Sequence, residues 1–394
     1  MRKLVAALGD RTQPLRRRLW CELANLYENQ LGDRLSARIA YDMAARLAPD
    51  DVGILRKSAE LNAEDPTRWR EMARAITAEW ELHPEDGGSG QRIVKLFLDR
   101  GLNHAAEVVA TAMVLRGLGD EKIAELASQS RPSVLGRISN KLPADWPSRV
   151  GYSPEFAEVE SMIALLVETG VLPPVTMAEL GLKSEASVLP SQQPALFRGV
   201  LVTFCDLLEI GEPAVLRHPG LVGEARMAHL QPASLLCGPT LLEQSDSVEL
   251  GFRLGRALAL ATTGRLAGSV RSGGQLRPYF IAALALTRGS LRLEGPAYEG
   301  ARDAIAALDA PARTRIAEVS QQLVRKYGSI NLTAWARGLR RMASRLALVM
   351  CGDLLRIGRA VADEEGQLAL DDLLAFALSF EQLDLSEEIR AGST

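Results

Sequence analysis

Histidine and cysteine are scarce in this chain: each occurs four times in 394 residues. Cys21, Cys205, Cys237 and Cys351 stand far apart, each among apolar neighbours. Such spacing excludes a disulfide framework and a paired-cysteine zinc site, and it reads as buried thiols in a reducing compartment. The cytoplasm is therefore the expected location. His83, His104, His218 and His229 are dispersed as well; His218 and His229 fall about a hairpin apart, and a third metal ligand is missing. Uninterrupted apolar runs never approach the roughly 20 residues of a membrane span. The opening stretch MRKLVAALGDRTQPLRRR has neither the apolar run nor the small-residue cleavage site of a signal peptide. Charge of one sign is lacking too. The formal net charge is −3 and the pI about 6.0, so no global field favours nucleic acid or an anionic membrane. Neither glycine-rich phosphate-binding signature follows a strand pattern, and no cofactor is implied.

What is present is a chain with 47% hydrophobic and 24% charged residues, the balance of a folded protein, and at this length more than one core is expected. Residues 1–130 carry apolar positions at three- and four-residue spacing throughout. Trp20, Leu23, Ala24 and Tyr27, then Gly32, Ala37, Tyr41, Ala44 and Pro49, have the order and spacing of a tetratricopeptide repeat with one residue added at the turn. The segment resembles that family. Trp20, Leu23 and Tyr27 form one stripe of a first helix, Gly32 turns the chain, and Ala37, Tyr41 and Ala44 form the return stripe. A weaker second pair runs through Leu55, Ala59, Asp65-Pro66, Ala73 and Ile76. A third follows a flexible stretch, Glu85 to Gly90, through Ile93, Phe97, Gly101, Ala105, Val109 and Ala112. The resemblance implies a groove lined by first helices, and it makes Arg18, Asn25 and Glu28 the candidate partner-binding residues.

Residues 131–155 are rich in Pro, Gly and Ser and read as a junction. Beyond it, residues 156–394 read as an α+β domain. Three short strands are expected at Pro213–His218, Glu224–Leu230 and Ala233–Gly238, with helices before and after them. The glycine-rich Gly264–Gly274 reads as a flexible helix–helix loop rather than a phosphate cradle. The expected fold is mostly α: tetratricopeptide-like helical repeats, then an α+β domain with a small sheet and many helices.

The stretch Val248–Leu260 (VELGFRLGRALAL), its lead-in Leu241-Leu242 and a later helix around Arg340–Arg345 resemble the gluzincin metallopeptidases, whose helix carries His-Glu-x-x-His. The resemblance covers about residues 210–365 and is one of scaffold only. Arg256 and Leu260 stand at the two histidine positions, Ala257 at that of the general base, and Arg340 and Ser344 at the later ligand pattern. Zinc needs three such ligands, and a guanidinium repels it. The resemblance implies a degenerate domain without metal or catalytic residues. In it the Arg256 and Arg340 helices pack directly, Leu260 is buried, and both guanidiniums reach carboxylates or solvent.

The expected function is non-catalytic protein–protein interaction or scaffolding, with protein partners of unspecified identity, no nucleic acid and no membrane span. Membership of a larger, bacterial complex is a further expectation. One alternative is a hydrolase with an unconventional site, for which Cys237 and His229 are the candidate pair. Another is nucleic-acid binding by the stripe Arg337, Arg340, Arg341 and Arg345.

Overall fold

Short acidic, hydroxyl or amide side chains start many of the helices. Asp33 accepts from the Ser36 N–H at 3.0 Å, Asp120 from Ile123 at 2.9 Å, and Asn331 from Ala334 at 2.9 Å, each satisfying a donor left free by helix geometry. The structure is a computed structural model; it describes residues 13–63, 65–128, 138–183, 186–289, 291 and 294–390. The opening segment 1–12 and the first part of the expected junction, 131–137, lie outside the described residues. The chain is mostly α with one small sheet and divides into two units, 1–130 and 131–394.

The first unit has a helical-repeat-like architecture. Helices α1 (Gln13–Asn25), α2 (Arg34–Leu47), α3 (Val52–Ala63), α4 (Trp69–Leu82), α5 (Gly87–Leu98), α6 (Asn103–Leu115) and α7 (Glu121–Ala127) each pack chiefly on their sequence neighbours. Trp20 is 8% and Tyr41 9% exposed, and Leu23, Ala24, Ala37 and Ala44 are buried with them between α1 and α2. The extra residue at the turn has a visible home. Leu26–Gln30 winds into a π-turn, closed by Leu31 N–H to the Leu26 carbonyl at 3.1 Å. A polar knot on Asp42 ties the next helices together. Its carboxylate accepts from Ser58 (2.8 Å) and Asn62 (2.9 Å) of α3 and from Arg68 (3.0 Å), just before α4. The stretch expected to be a flexible linker is instead the start of α5. Asp86 caps it through Gly88 N–H and Ser89, and Gly90 lets Trp80 and Met113 close in, where a Cβ would meet Met113 at 2.9 Å.

The second unit is built around one long helix. Its longer helices are α8 (Pro154–Glu168), α9 (Ala195–Leu208), α10 (Ser247–Leu258), α11 (Thr263–Val270), α12 (Gly273–Ala285), α13 (Pro296–Ala307), α14 (Ala310–Tyr327), α15 (Leu332–Cys351), α16 (Leu354–Glu365), α17 (Gln367–Ala377) and α18 (Phe380–Arg390). Helix α15 buries Trp335, Leu339, Met342 and every residue from Leu346 to Cys351, and it packs on α10, α11, α12, α17 and α18. Residues 138–155, expected as a junction, belong to this unit. Ser139 and Asn140 bond the Ile389 carbonyl, Leu142 the Leu207 carbonyl, and the Tyr152 hydroxyl accepts from Trp335 Nε1 at 3.0 Å.

The sheet has four strands: β1 (Ser187–Val188), β2 (Ala214–Arg217), β3 (Ala225–Ala228) and β4 (Ser234–Cys237), in the order β1-β2-β4-β3. Three of these were expected; β1 was hidden in a Pro-rich stretch. Strand β4 is buried along its whole length because it inserts between its two predecessors, parallel to β2 and antiparallel to β3. That leaves β3 at the edge. The supposed loop Gly264–Gly274 is mostly helix α11, and Gly268 is there for close approach. A Cβ on it would lie 2.6 Å from the Trp335 ring.

Candidate functional site

Helices α10 and α15 pack directly against each other. Gly255 permits the approach, since a Cβ there would come within 2.6 Å of Met350 and 3.3 Å of Ala347. A cavity of about 580 Å³ is bordered by both helices, the β3 edge, the α11–α12 corner and the end of α16. Arg256, Ala257, Leu260 and Arg340, four of the five positions where the resemblance put chemistry, all line it. Ser344 does not; it is buried in α15, and its hydroxyl has no partner among the described residues.

These side chains do not fit a metal. Helix α10 ends at Leu258, and Leu260 N–H turns back to the Ala257 carbonyl at 3.1 Å, so residue 260 lies past the regular helix on which a second imidazole would have to stand. Leu260 is consequently half-buried, a correction to the expectation of full burial. Arg256 donates to Glu364 at 3.0 Å and to Glu365, and its guanidinium lies 5.2 Å from the centre of the Phe252 ring. Arg253 bridges Glu249 (2.8 Å) and Glu364. The carboxylates at the end of α16 thus neutralise the α10 guanidiniums. Among the described residues no group of three or more His, Cys, Asp and Glu side chains is placed to hold a metal.

Two further cations at the wall form no direct ion pair among the described residues, although the Glu179 carboxylate acts on one of them, Arg271, from a distance. Arg340 is exposed and has no carboxylate partner among the described residues. Arg271, just before α12, is held by neutral acceptors, His229 Nδ1 at 3.1 Å and the Pro173 carbonyl at 2.5 Å. Burial, with the Arg271 charge beside it, pushes His229 down to about 4, so the ring is neutral and accepts from the guanidinium. Desolvation likewise lowers Arg271 from its ordinary value. The wall therefore carries five arginines against three glutamates, Glu224, Glu364 and Glu365.

Glu224 and, from the edge strand β3, Ala225, Arg226 and Met227 line one side of the cavity. Gly238 N–H bonds the Glu224 carbonyl at 2.9 Å, and this register turns the N–H and C=O of Ala225 and Met227 away from β4. The Met227 carbonyl takes the Ser269 hydroxyl, at 2.5 Å.

The other expected residues are elsewhere. Cys237 and His229 do not form a pair: the histidine is engaged by Arg271, and burial raises the Cys237 thiol far above its ordinary value, which makes it a poor nucleophile. The arginine stripe of α15 is divided. Arg337, Arg341 and Arg345 border a separate cleft of about 280 Å³ over Phe156, where Asp372 receives Arg345 at 3.0 Å and faces Arg341 at 3.6 Å. In the first unit Arg18 is paired with Glu22 at 2.8 Å and Asn25 with Asn29. Glu28 holds the Tyr41 hydroxyl and Lys57, both at 3.2 Å, so it serves to join α2 and α3. Glu364, Glu365 and the β3 edge were not singled out from sequence as site residues, and Arg271 was noted only within the Gly264–Gly274 stretch that was set aside as a phosphate cradle. Only the Ser272-x-x-Gln275 capping box, which marks the start of α12 beside the cavity, was there to be read. No family model matches this chain, and its comparison with curated proteins and with solved structures gave no match.

Proposed function

We propose that the second unit binds an extended segment of a partner protein in this cavity without cutting it, and that the protein is an interaction or scaffold component of a larger assembly. The observation that carries the reading is the opening of a cavity of about 580 Å³ along the edge of β3. Its size is that of a small-ligand or short-peptide site, and an edge strand offers main-chain donors and acceptors to an extended chain. The half-buried Leu260, Val270 and Ala336 supply apolar surface between the charges. On this reading the cleft has the shape of a peptidase groove, with ion pairs where a gluzincin keeps its metal. The tetratricopeptide-like unit adds a second partner surface.

Zinc loading followed by dialysis against a mild chelator tests the non-catalytic part. The expected result is far less than one zinc per chain and no cleavage of an unfolded protein substrate. Leu260→His should gain no zinc affinity, because Arg256 and Arg340 still border the place, and it should cost about 1 kcal/mol, as suits a half-buried position. One equivalent of retained zinc with hydrolysis would overturn the reading.

A further inference from the structure

The cavity wall is not symmetric in charge. Arg253 and Arg256 are satisfied by Glu249, Glu364 and Glu365, and Arg226 has Glu224 beside it at 3.5 Å. On the opposite wall, formed by the α11–α12 corner and α15, Arg340 has no carboxylate partner among the described residues, and Arg271 has no direct ion pair there, its nearest electrostatic partner being the more distant carboxylate of Glu179. Arg271 has two of its five N–H groups committed, to His229 and Pro173, which leaves three donors. Between these two cations begins α12, a helix of 13 residues, with Gly273 and Gly274 in its first turn at the cavity wall. The Gln275 N–H is taken by Ser272 Oγ at 3.3 Å and that of Leu276 by the Ser272 carbonyl at 3.0 Å. The N–H groups of Gly273 and Gly274 have no acceptor within the helix, and none elsewhere among the described residues. Gly273 itself lies so close to α15 that a Cβ would meet the Leu332–Thr333 backbone at 2.8 Å.

We infer that this wall is an anchor for a carboxylate, and that the cleft selects an acidic peptide: Arg340 and Arg271 hold an Asp or Glu side chain, or a terminal carboxylate, against the first turn of α12. A guanidinium fork matches a carboxylate in two parallel hydrogen bonds, and a partly desolvated cation strengthens them. The helix start adds oriented N–H groups and the positive end of its dipole. A single negative charge suits the site better than a compact polyanion. Glu224, Glu364 and Glu365 share the cavity, and the surface between the charged groups is apolar. This inference rests on the peptide-cleft reading above and adds its specificity.

The test uses the full chain and two fluorescein-labelled hexapeptide pools, identical except that the central two residues are Glu in one and Gln in the other. Fluorescence anisotropy should show the Glu pool binding about tenfold tighter, as one charge-assisted contact would give. Arg340→Gln should remove most of that difference and leave the melting temperature in place, because Arg340 is exposed and unpaired. Arg340→Lys, which keeps the charge and loses the fork, should fall between. Equal binding of both pools, unaffected by Arg340→Gln, would overturn the anchor and leave the cleft standing. Binding of neither pool would overturn both. Displacement of the Glu pool by inorganic pyrophosphate more readily than by unlabelled Glu peptide would show a phosphoryl site and also overturn the anchor.

Discussion

Replacing Trp20 by Ala should cost the first unit about 3–5 kcal/mol, the range for truncating a large buried aromatic side chain. The ring lies between α1 and α2, 8% exposed, among Leu23, Ala24, Ala37, Tyr41 and Ala44. Three of these neighbours, Ala24, Ala37 and Ala44, carry only a methyl group and cannot fill the space it would leave. The same site makes a second, opposite comparison available. Trp20 Nε1 is buried without an acceptor among the described residues, an unsatisfied donor whose penalty the native protein bears. Trp20→Phe keeps most of the apolar area and removes that donor, and it should cost less than about 1.5 kcal/mol. Urea titration of the full chain, followed by circular dichroism, measures both variants against the wild type. An unchanged unfolding midpoint for Trp20→Ala would show that the α1–α2 pair is not the core described.

The second large effect lies in the second unit. Arg265 on α11 is 6% exposed and donates from Nε to Glu160 of α8 at 2.8 Å; Thr262 donates to the other carboxylate oxygen at 3.0 Å. The guanidinium is stacked 5.1 Å from the Trp146 ring centre and 5.3 Å from that of Tyr152. Arg265→Met should cost about 3–5 kcal/mol, because it leaves the Glu160 carboxylate poorly solvated and without its cation. The double variant Arg265→Met, Glu160→Leu should recover most of the loss, since a buried ion pair often does little better than apolar side chains of similar volume. Thermal unfolding of the wild type, the two single variants and the double variant completes the cycle. A double variant as unstable as the two single losses added together would show that the pair is not a coupled unit.

Some of this molecule was legible in its sequence and some was not, for physical reasons. The Trp20–Tyr41 pair was readable because its contacts are local: a stripe, a turn glycine with φ +64° at Gly32, and a return stripe. The strands β2, β3 and β4 were readable from alternation and from flanking Pro and Gly. Their order was not, because placing β4 between its predecessors is a long-range choice. Gly264–Gly274 misled, since glycine that permits close helix packing looks in composition like glycine that loosens a loop. The cavity was half legible. Arg256, Leu260 and Arg340 were identified as replacing metal ligands, but what satisfies Arg256 comes from Glu364 and Glu365, more than a hundred residues away. A fold has to be built before such partners meet.

The central claim is that a peptide lies along β3 inside the cavity, and amide hydrogen exchange of β3 with and without the Glu hexapeptide pool tests it most directly. Ala225 directs its N–H away from β4 at the open part of the strand, whereas the outward side of Met227 is covered by Ser269, so in the free protein Ala225 should exchange faster than Arg226 and Ala228. Saturation with the peptide should slow the exchange of Ala225 and leave the amides of β2 as they were. Peptide binding that leaves the exchange of Ala225 unchanged would contradict the account.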